Sequence, residues 1–139
     1  MSLTGSQLLH LCAFKGEVNI LKDLLSRNLD PFAQNKAGDT CLHIATRRKH
    51  AEFVYEIINF CVKHKISTPK AEIENSSECL TPFMTAVLRE HFEIANLLLK
   101  NNLATKGYVN REGRDVRQIA EDGNRVRSLA YLDNREIPR

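Results

Sequence analysis

The sequence predicts an all-α solenoid, and three regularities carry that prediction. His10 and His43 stand 33 residues apart in matching settings, Leu9-His10-Leu11-Cys12-Ala13 and Leu42-His43-Ile44-Ala45-Thr46. Gly5 and Gly38 keep the same separation. A leucine-rich or isoleucine-rich stretch follows each, with apolar residues at helical spacing: Ile20, Leu21, Leu24 and Leu25, then Phe53, Val54, Ile57, Ile58 and Cys61. A fixed period of this size marks stacked helical hairpins that bury their apolar faces against one another. Such a stack lacks an enclosed catalytic pocket and offers an extended concave surface, which suits binding.

The elements follow in order along a single domain, 1–139. In the first unit, 5–37, Gly5 to Ala13 forms an inner helix, Gly16 breaks the chain, and Ile20 to Leu25 gives an outer stripe. Residues 28–38, with Pro31 and Asn35 as turn formers, read as an extended finger with a tight turn. The second unit, 38–78, opens on Gly38, which supplies a positive-φ position, and Thr40, whose hydroxyl can cap the next helix. Leu42, Ile44 and the small Ala45 mark that inner helix, and Arg47-Arg48-Lys49-His50 ends it. The third unit, 79–112, starts with Thr81 as a cap and Pro82 at the first helical position, followed by an outer stripe of Ile94, Ala95, Leu98 and Leu99. Ala45 and Ala86 are 41 residues apart, eight more than the period. The excess falls in the polar segment 63–78, an enlarged finger or an outer-helix extension whose removal is expected to spare the fold. The last unit, 113–135, keeps Gly113, an acidic cap in Asp115 and Ala120. Its outer helix retains Val126, Leu129 and Leu132 but is otherwise polar, as a terminal cap requires.

In this phase of glycine, helix start, alanine and leucine pair, residues 5 to 133 resemble the ankyrin repeat family. That family's Thr-Pro-Leu-His signature stands here as Thr40-Cys41-Leu42-His43, Thr81-Pro82-Phe83-Met84, Gln7-Leu8-Leu9-His10 and Asp115-Val116-Arg117-Gln118, with no unit matching in full. The resemblance implies paired antiparallel helices with β-turn or hairpin fingers, histidines that bond between repeats, and a non-catalytic module that binds another protein. It also implies a concave face built from finger tips and from the last turn of each inner helix. By that register the partner-binding residues are Phe14, Lys15, Lys36, Asp39, Arg47, Arg48, Leu88, Arg89, Arg111 and Arg114. Lys15, Arg48 and Arg89 fall at one equivalent place in successive units, a positive ladder with rungs about 10 Å apart. Arginine forks suit carboxylate and phosphate, so the expected partner is an acidic or phosphorylated segment.

Other function classes fare poorly. The formal charge is +3 with both signs interspersed, and the aromatic residues fall mostly on packing stripes, so nucleic acid is not the expected partner. No apolar run approaches the roughly 20 residues that span a bilayer, and the start of the chain has no basic region of a signal peptide. Cysteines 12, 41, 61 and 79 match neither a zinc spacing nor a disulfide framework, which points to reduced thiols in the cytoplasm or nucleus. Residues two apart on a helix face different sides, so His10-x-Cys12 and Cys41-x-His43 cannot chelate one ion. Nucleophile elbow, phosphate-cradling glycine loop and His-Glu-x-x-His are absent from the sequence, so no catalytic residue, metal, cofactor or small-molecule substrate is expected. The protein is expected to be a monomeric adaptor or inhibitor. The alternatives are a targeting module of a larger protein and an IκB-like inhibitor of a transcription factor; the basic groove and the lack of an acidic tail count against the latter.

Overall fold

The computed structural model describes residues 3–68 and 70–138, and eight helices run through them. They are α1 (Gly5–Lys15), α2 (Val18–Ser26), α3 (Cys41–Arg47), α4 (Ala51–Lys63), α5 (Pro82–Leu88), α6 (Phe92–Lys100), α7 (Val116–Asp122) and α8 (Val126–Leu132). Each odd-numbered helix forms a hairpin with the even one that follows. The inner helices α1, α3, α5 and α7 stack in one layer, and α2, α4 and α6 stack in a second. Helix α8 packs on α7 and on α5.

Local chemistry sets where these helices begin and end. Thr40, Thr81 and Asp115 each accept a bond from the backbone N–H three residues on, the N-cap arrangement that their residue types favour. Each inner helix stops at a residue in the left-handed region: Gly16, Lys49, Glu90 and Asn124, with φ of 74°, 60°, 63° and 52°. The N–H of the following residue then returns to the carbonyl of Cys12, Ala45, Ala86 or Ala120, which satisfies a carbonyl the helix end would leave orphaned. Outer helices end in the same way at Asn28, Lys65, Asn102 and Asn134.

A continuous core lies between the layers. Leu21, Leu42, Phe53, Ile57, Ile94 and Leu98 are almost fully buried. Cys12, Ala45, Ala86 and Ala120 hold one small, buried position in the four inner helices, where neighbouring backbones come close.

Gly5 stands in the inner helix as expected: it is the first residue of an 11-residue α1 capped by Thr4, so this unit opens on an extra turn of helix. Three sequence expectations need correction. Ile20 is 41% exposed, because nothing among the described residues stacks on the side where the first unit covers its equivalent, Phe53. Leu99 sits only partly buried at the edge of the core. Segment 63–78 is not dispensable. Four of the second unit's eight extra residues lengthen α4, which has 13 residues against the 9 of α2, so they fall mostly before the segment. Within the segment, Ile66, Ala71 and Ile73 pack on the core and Asn75 is fully buried.

Leu98→Ala removes a wholly buried side chain from the α4–α6 layer and should cost roughly 2–5 kcal/mol. Urea unfolding followed by far-ultraviolet circular dichroism measures it. A loss below about 1 kcal/mol would mean that the spine is not packed as described.

Candidate interaction groove

The finger turns position one edge of the groove. Asn35, Asn75 and Asn110 each close a turn by accepting two backbone N–H groups on the side-chain oxygen, at 3.0 to 3.3 Å. Each also donates its own backbone N–H across the turn, to Asp39, Leu80 and Arg114 respectively, at 2.9 Å. The spare amide group then reaches the preceding finger: Asn75 donates to the Asp39 carboxylate at 2.9 Å, and Asn110 to the Cys79 carbonyl at 3.0 Å. Neighbouring fingers touch along the backbone too, since the Ala37 carbonyl accepts from both Ser76 and Ser77. Gly38 is required twice over: its φ is +79°, and a Cβ there would fall 2.3 Å from the Ser76 nitrogen.

The histidines tie one unit to the next. His43 Nδ1 accepts from the Thr40 backbone N–H at 3.1 Å, so its Nε2 carries the proton and donates to the Leu80 carbonyl at 2.8 Å. His10 Nε2 stands 2.9 Å from the Asp39 carbonyl, the matching place one unit earlier. Met84 cannot make this bond. The last interface instead uses Ser128, donating to the Val87 carbonyl at 2.8 Å, and Arg125, donating to the Leu88 carbonyl at 3.0 Å. Among the described residues no group of three His, Cys, Asp or Glu side chains could hold a metal. The four cysteines are free thiols. Burial pushes Cys41 up to about 12 and Cys61 up to about 11, which makes both poor nucleophiles at neutral pH.

Five of the ten candidate partner-binding residues are committed to the fold. Arg47 forms a two-pronged pair with Asp39 at 3.0 and 3.2 Å and lies 3.6 Å from Glu78. Asp39 is 5% exposed and faces inward to Arg47 and Asn75. Leu88, at 8%, belongs to the core. Arg111 bridges two fingers, donating to the Asn75 carbonyl at 3.0 Å and lying 3.8 Å from Glu74, and Arg114 is paired with Asp122. The other five remain on the surface. Lys36 is exposed at the first finger tip. Phe14 is half exposed beneath the Arg48 guanidinium, 4.0 Å from its ring centroid. Lys15, Arg48 and Arg89 are exposed at or just beyond the ends of α1, α3 and α5, and among the described residues none has a carboxylate within 4.0 Å. Beside this row a cleft of about 540 Å³ opens between the second and third inner helices, lined by Arg47, Glu78, Thr85, Leu88, Arg89 and Arg125 among others.

Sequence reasoning did not single out Asn75, Glu78, Asn110 or Arg125. The asparagines had a readable signal, since Asn35, Asn75 and Asn110 each precede a finger turn. Arg125 and Glu78 had none, because the Leu88 carbonyl and Arg47 that they meet lie about one repeat length away in the chain.

With the architecture and groove in view, residues 9–112 match the family described as ankyrin repeats, in three copies. The chain belongs to the ankyrin repeat family. It is 26% identical over 129 residues to Rabankyrin-5 of Mus musculus, which aligns 92% of this chain with 10% of that protein. It is also 26% identical over 84 residues to the E3 ubiquitin-protein ligase KEG of Arabidopsis thaliana, 60% of this chain against 5% of that one. The chain thus spans a tenth or less of the length of these curated relatives. Ankyrin repeats generally mediate protein–protein interaction and are typically non-catalytic.

The buried network makes stability depend on pH. Burial holds His43 below its ordinary 6.5, and it holds His91 below that value as well. Burial alone would raise Asp39, but hydrogen bonds from Arg47 and Asn75 outweigh it and keep the carboxyl below 3.8. Below pH 6.5 the unfolded chain therefore binds protons that the folded chain refuses, and stability falls. A second loss, from Asp39, follows as the pH passes below 3.8. The urea midpoint should be level between about pH 7 and 8 and decline from about 6.5 downward, and His43→Gln should lessen the first decline. An unchanged midpoint between pH 7.5 and 5 would refute this account of the histidines.

Proposed function

We propose that this chain is an adaptor or inhibitor whose concave face binds an acidic or phosphorylated segment of another protein along Lys15, Arg48 and Arg89. One observation carries the proposal. Arg27, Arg47, Arg111, Arg114, Arg117, Arg127 and Arg135 all have a carboxylate partner, whereas Arg48 and Arg89, with Arg125 beside them, have none among the described residues, and Lys15 extends their row with an equally open charge. A cation at a helix C-terminus gains about 0.3–1 kcal/mol from the helix dipole, which favours the position and leaves the guanidinium donors open. Two open forks in a row match the paired oxygens of carboxylate or phosphate. Phe14 gives the row an apolar flank, and its ring holds Arg48 in place. Recognition of this kind acts strongly on association rate and weakens with salt. A monomer in the cytoplasm or nucleus fits the free thiols and this mode of binding. The small share of each relative that the chain spans favours one further reading, in which the same groove serves as the targeting module of a larger protein.

The test is the triple variant Lys15→Glu, Arg48→Glu, Arg89→Glu, titrated against fluorescent hexaglutamate and phosphoserine peptides. Arg47 is left intact because it anchors Asp39. Affinity should fall about tenfold or more while the circular dichroism spectrum stays unchanged. A variant that binds both peptides as the wild type does would discard the groove as the binding surface.

A further inference from the structure

We propose that the cleft between the second and third units is the subsite of this groove that receives one anionic side chain of the partner, a carboxylate or a phosphate. Glu78 is its internal competitor, resting on Arg47 until the incoming anion displaces it. The inference depends on the groove reading above and adds a location, a ligand chemistry and a gate.

The gate comes from the length of one turn. The second finger runs from Asn75 to Leu80, one residue more than Asn35 to Asp39 or Asn110 to Arg114. Cys79, at φ +58°, holds the left-handed place that Gly38 and Gly113 hold in the other two. The longer turn brings the Glu78 carboxylate to 3.6 Å from Arg47, and its only other tie among the described residues is a 3.3 Å contact from Asn75. The Glu78 side chain is 45% exposed. Contacts that long and that wet hold weakly. Arg47 itself stays anchored by its shorter, two-pronged pair with Asp39, so releasing Glu78 frees a charge without freeing the arginine.

The rest of the cleft suits an anion. Arg89 brings an unpaired guanidinium. Arg125 is fixed through one N–H to the Leu88 carbonyl, which leaves its other donors for a ligand. Thr85 lines the floor, and its hydroxyl oxygen is buried with no hydrogen-bond partner. Glu90, at the rim, is occupied by Arg127. Three arginines therefore surround a space in which Glu78 is the one loosely held acid.

The experiment titrates the full chain with hexaglutamate and with a phosphoserine peptide at low salt, followed by fluorescence anisotropy. It compares wild type, Glu78→Gln and the double variant Glu78→Gln, Arg89→Glu. Glutamine keeps the oxygen that Asn75 contacts and removes only the charge. Glu78→Gln should bind about threefold to tenfold tighter, and the double variant should lose that gain. Amide resonances of Thr85 and Arg89 in the wild-type chain should shift as peptide is added. The peptide with the larger gain identifies the preferred head group. If wild type binds and the triple ladder variant does not, but Glu78→Gln gains nothing, the subsite is overturned and the groove stands. If neither wild type nor Glu78→Gln binds either peptide, both fail.

Discussion

No hairpin in this protein can bury its own apolar face. Its helices have between 7 and 13 residues, at or below the length at which an isolated helix holds together in water. What makes them stable is the neighbouring unit. Phe53 and Ile20 occupy the same place in consecutive hairpins, yet Phe53 is fully buried and Ile20 is 41% exposed. The difference is that α2 lies against α4, while nothing described lies against the other side of α2. Burial here is a property of the pair, so the units hold or fail with their neighbours.

Apolar stacking alone would let the hairpins slide, because oil has no register. Buried polar groups fix it. His10 meets the Asp39 carbonyl, His43 the Leu80 carbonyl and Asn110 the Cys79 carbonyl, each across a unit boundary. A shift of one residue would break all three contacts and leave the fully buried His43 donor unpaired, at about 1–3 kcal/mol. The same network decides which charges face outward. Asp39 draws in Arg47 and Asn75, and Glu74 and the Asn75 carbonyl draw in Arg111. The basic surface that remains is what the finger chemistry has not consumed.

This explains what could and could not be read in advance. The period, the leucine stripes and the helix starts at Thr40, Thr81 and Asp115 were legible, because each depends on residues close together in the chain. His43 was legible as a structural group through the family resemblance, and its cap, Thr40, is three residues away. The left-handed ends at Lys49 and Glu90 were hidden, since neither is the glycine that normally announces such a turn. The pairing of Asp39 with Arg47 spans a finger and a helix end, and the finger-to-finger contacts of Asn75 and Arg111 span more than 30 residues. Local spacing carries no trace of these, and they commit Asp39, Arg47 and Arg111 of the expected groove residues to the fold.

The second unit's extra length has a consequence beyond packing. An insertion that merely filled space would be expected to bury apolar groups and leave the groove as it found it. Ile66, Ala71 and Ile73 do the first. The finger at the end of the segment does something different: through Asn75 it reaches back to Asp39, and through Glu78 it reaches toward the same Arg47. Arg47 is thus held firmly by one acid and loosely by another. A two-partner arginine of this kind keeps its position when the weaker partner leaves, which a singly held side chain would not do. The rigid element and the exchangeable one are then supplied by adjacent fingers, and the groove acquires a movable charge without any moving backbone.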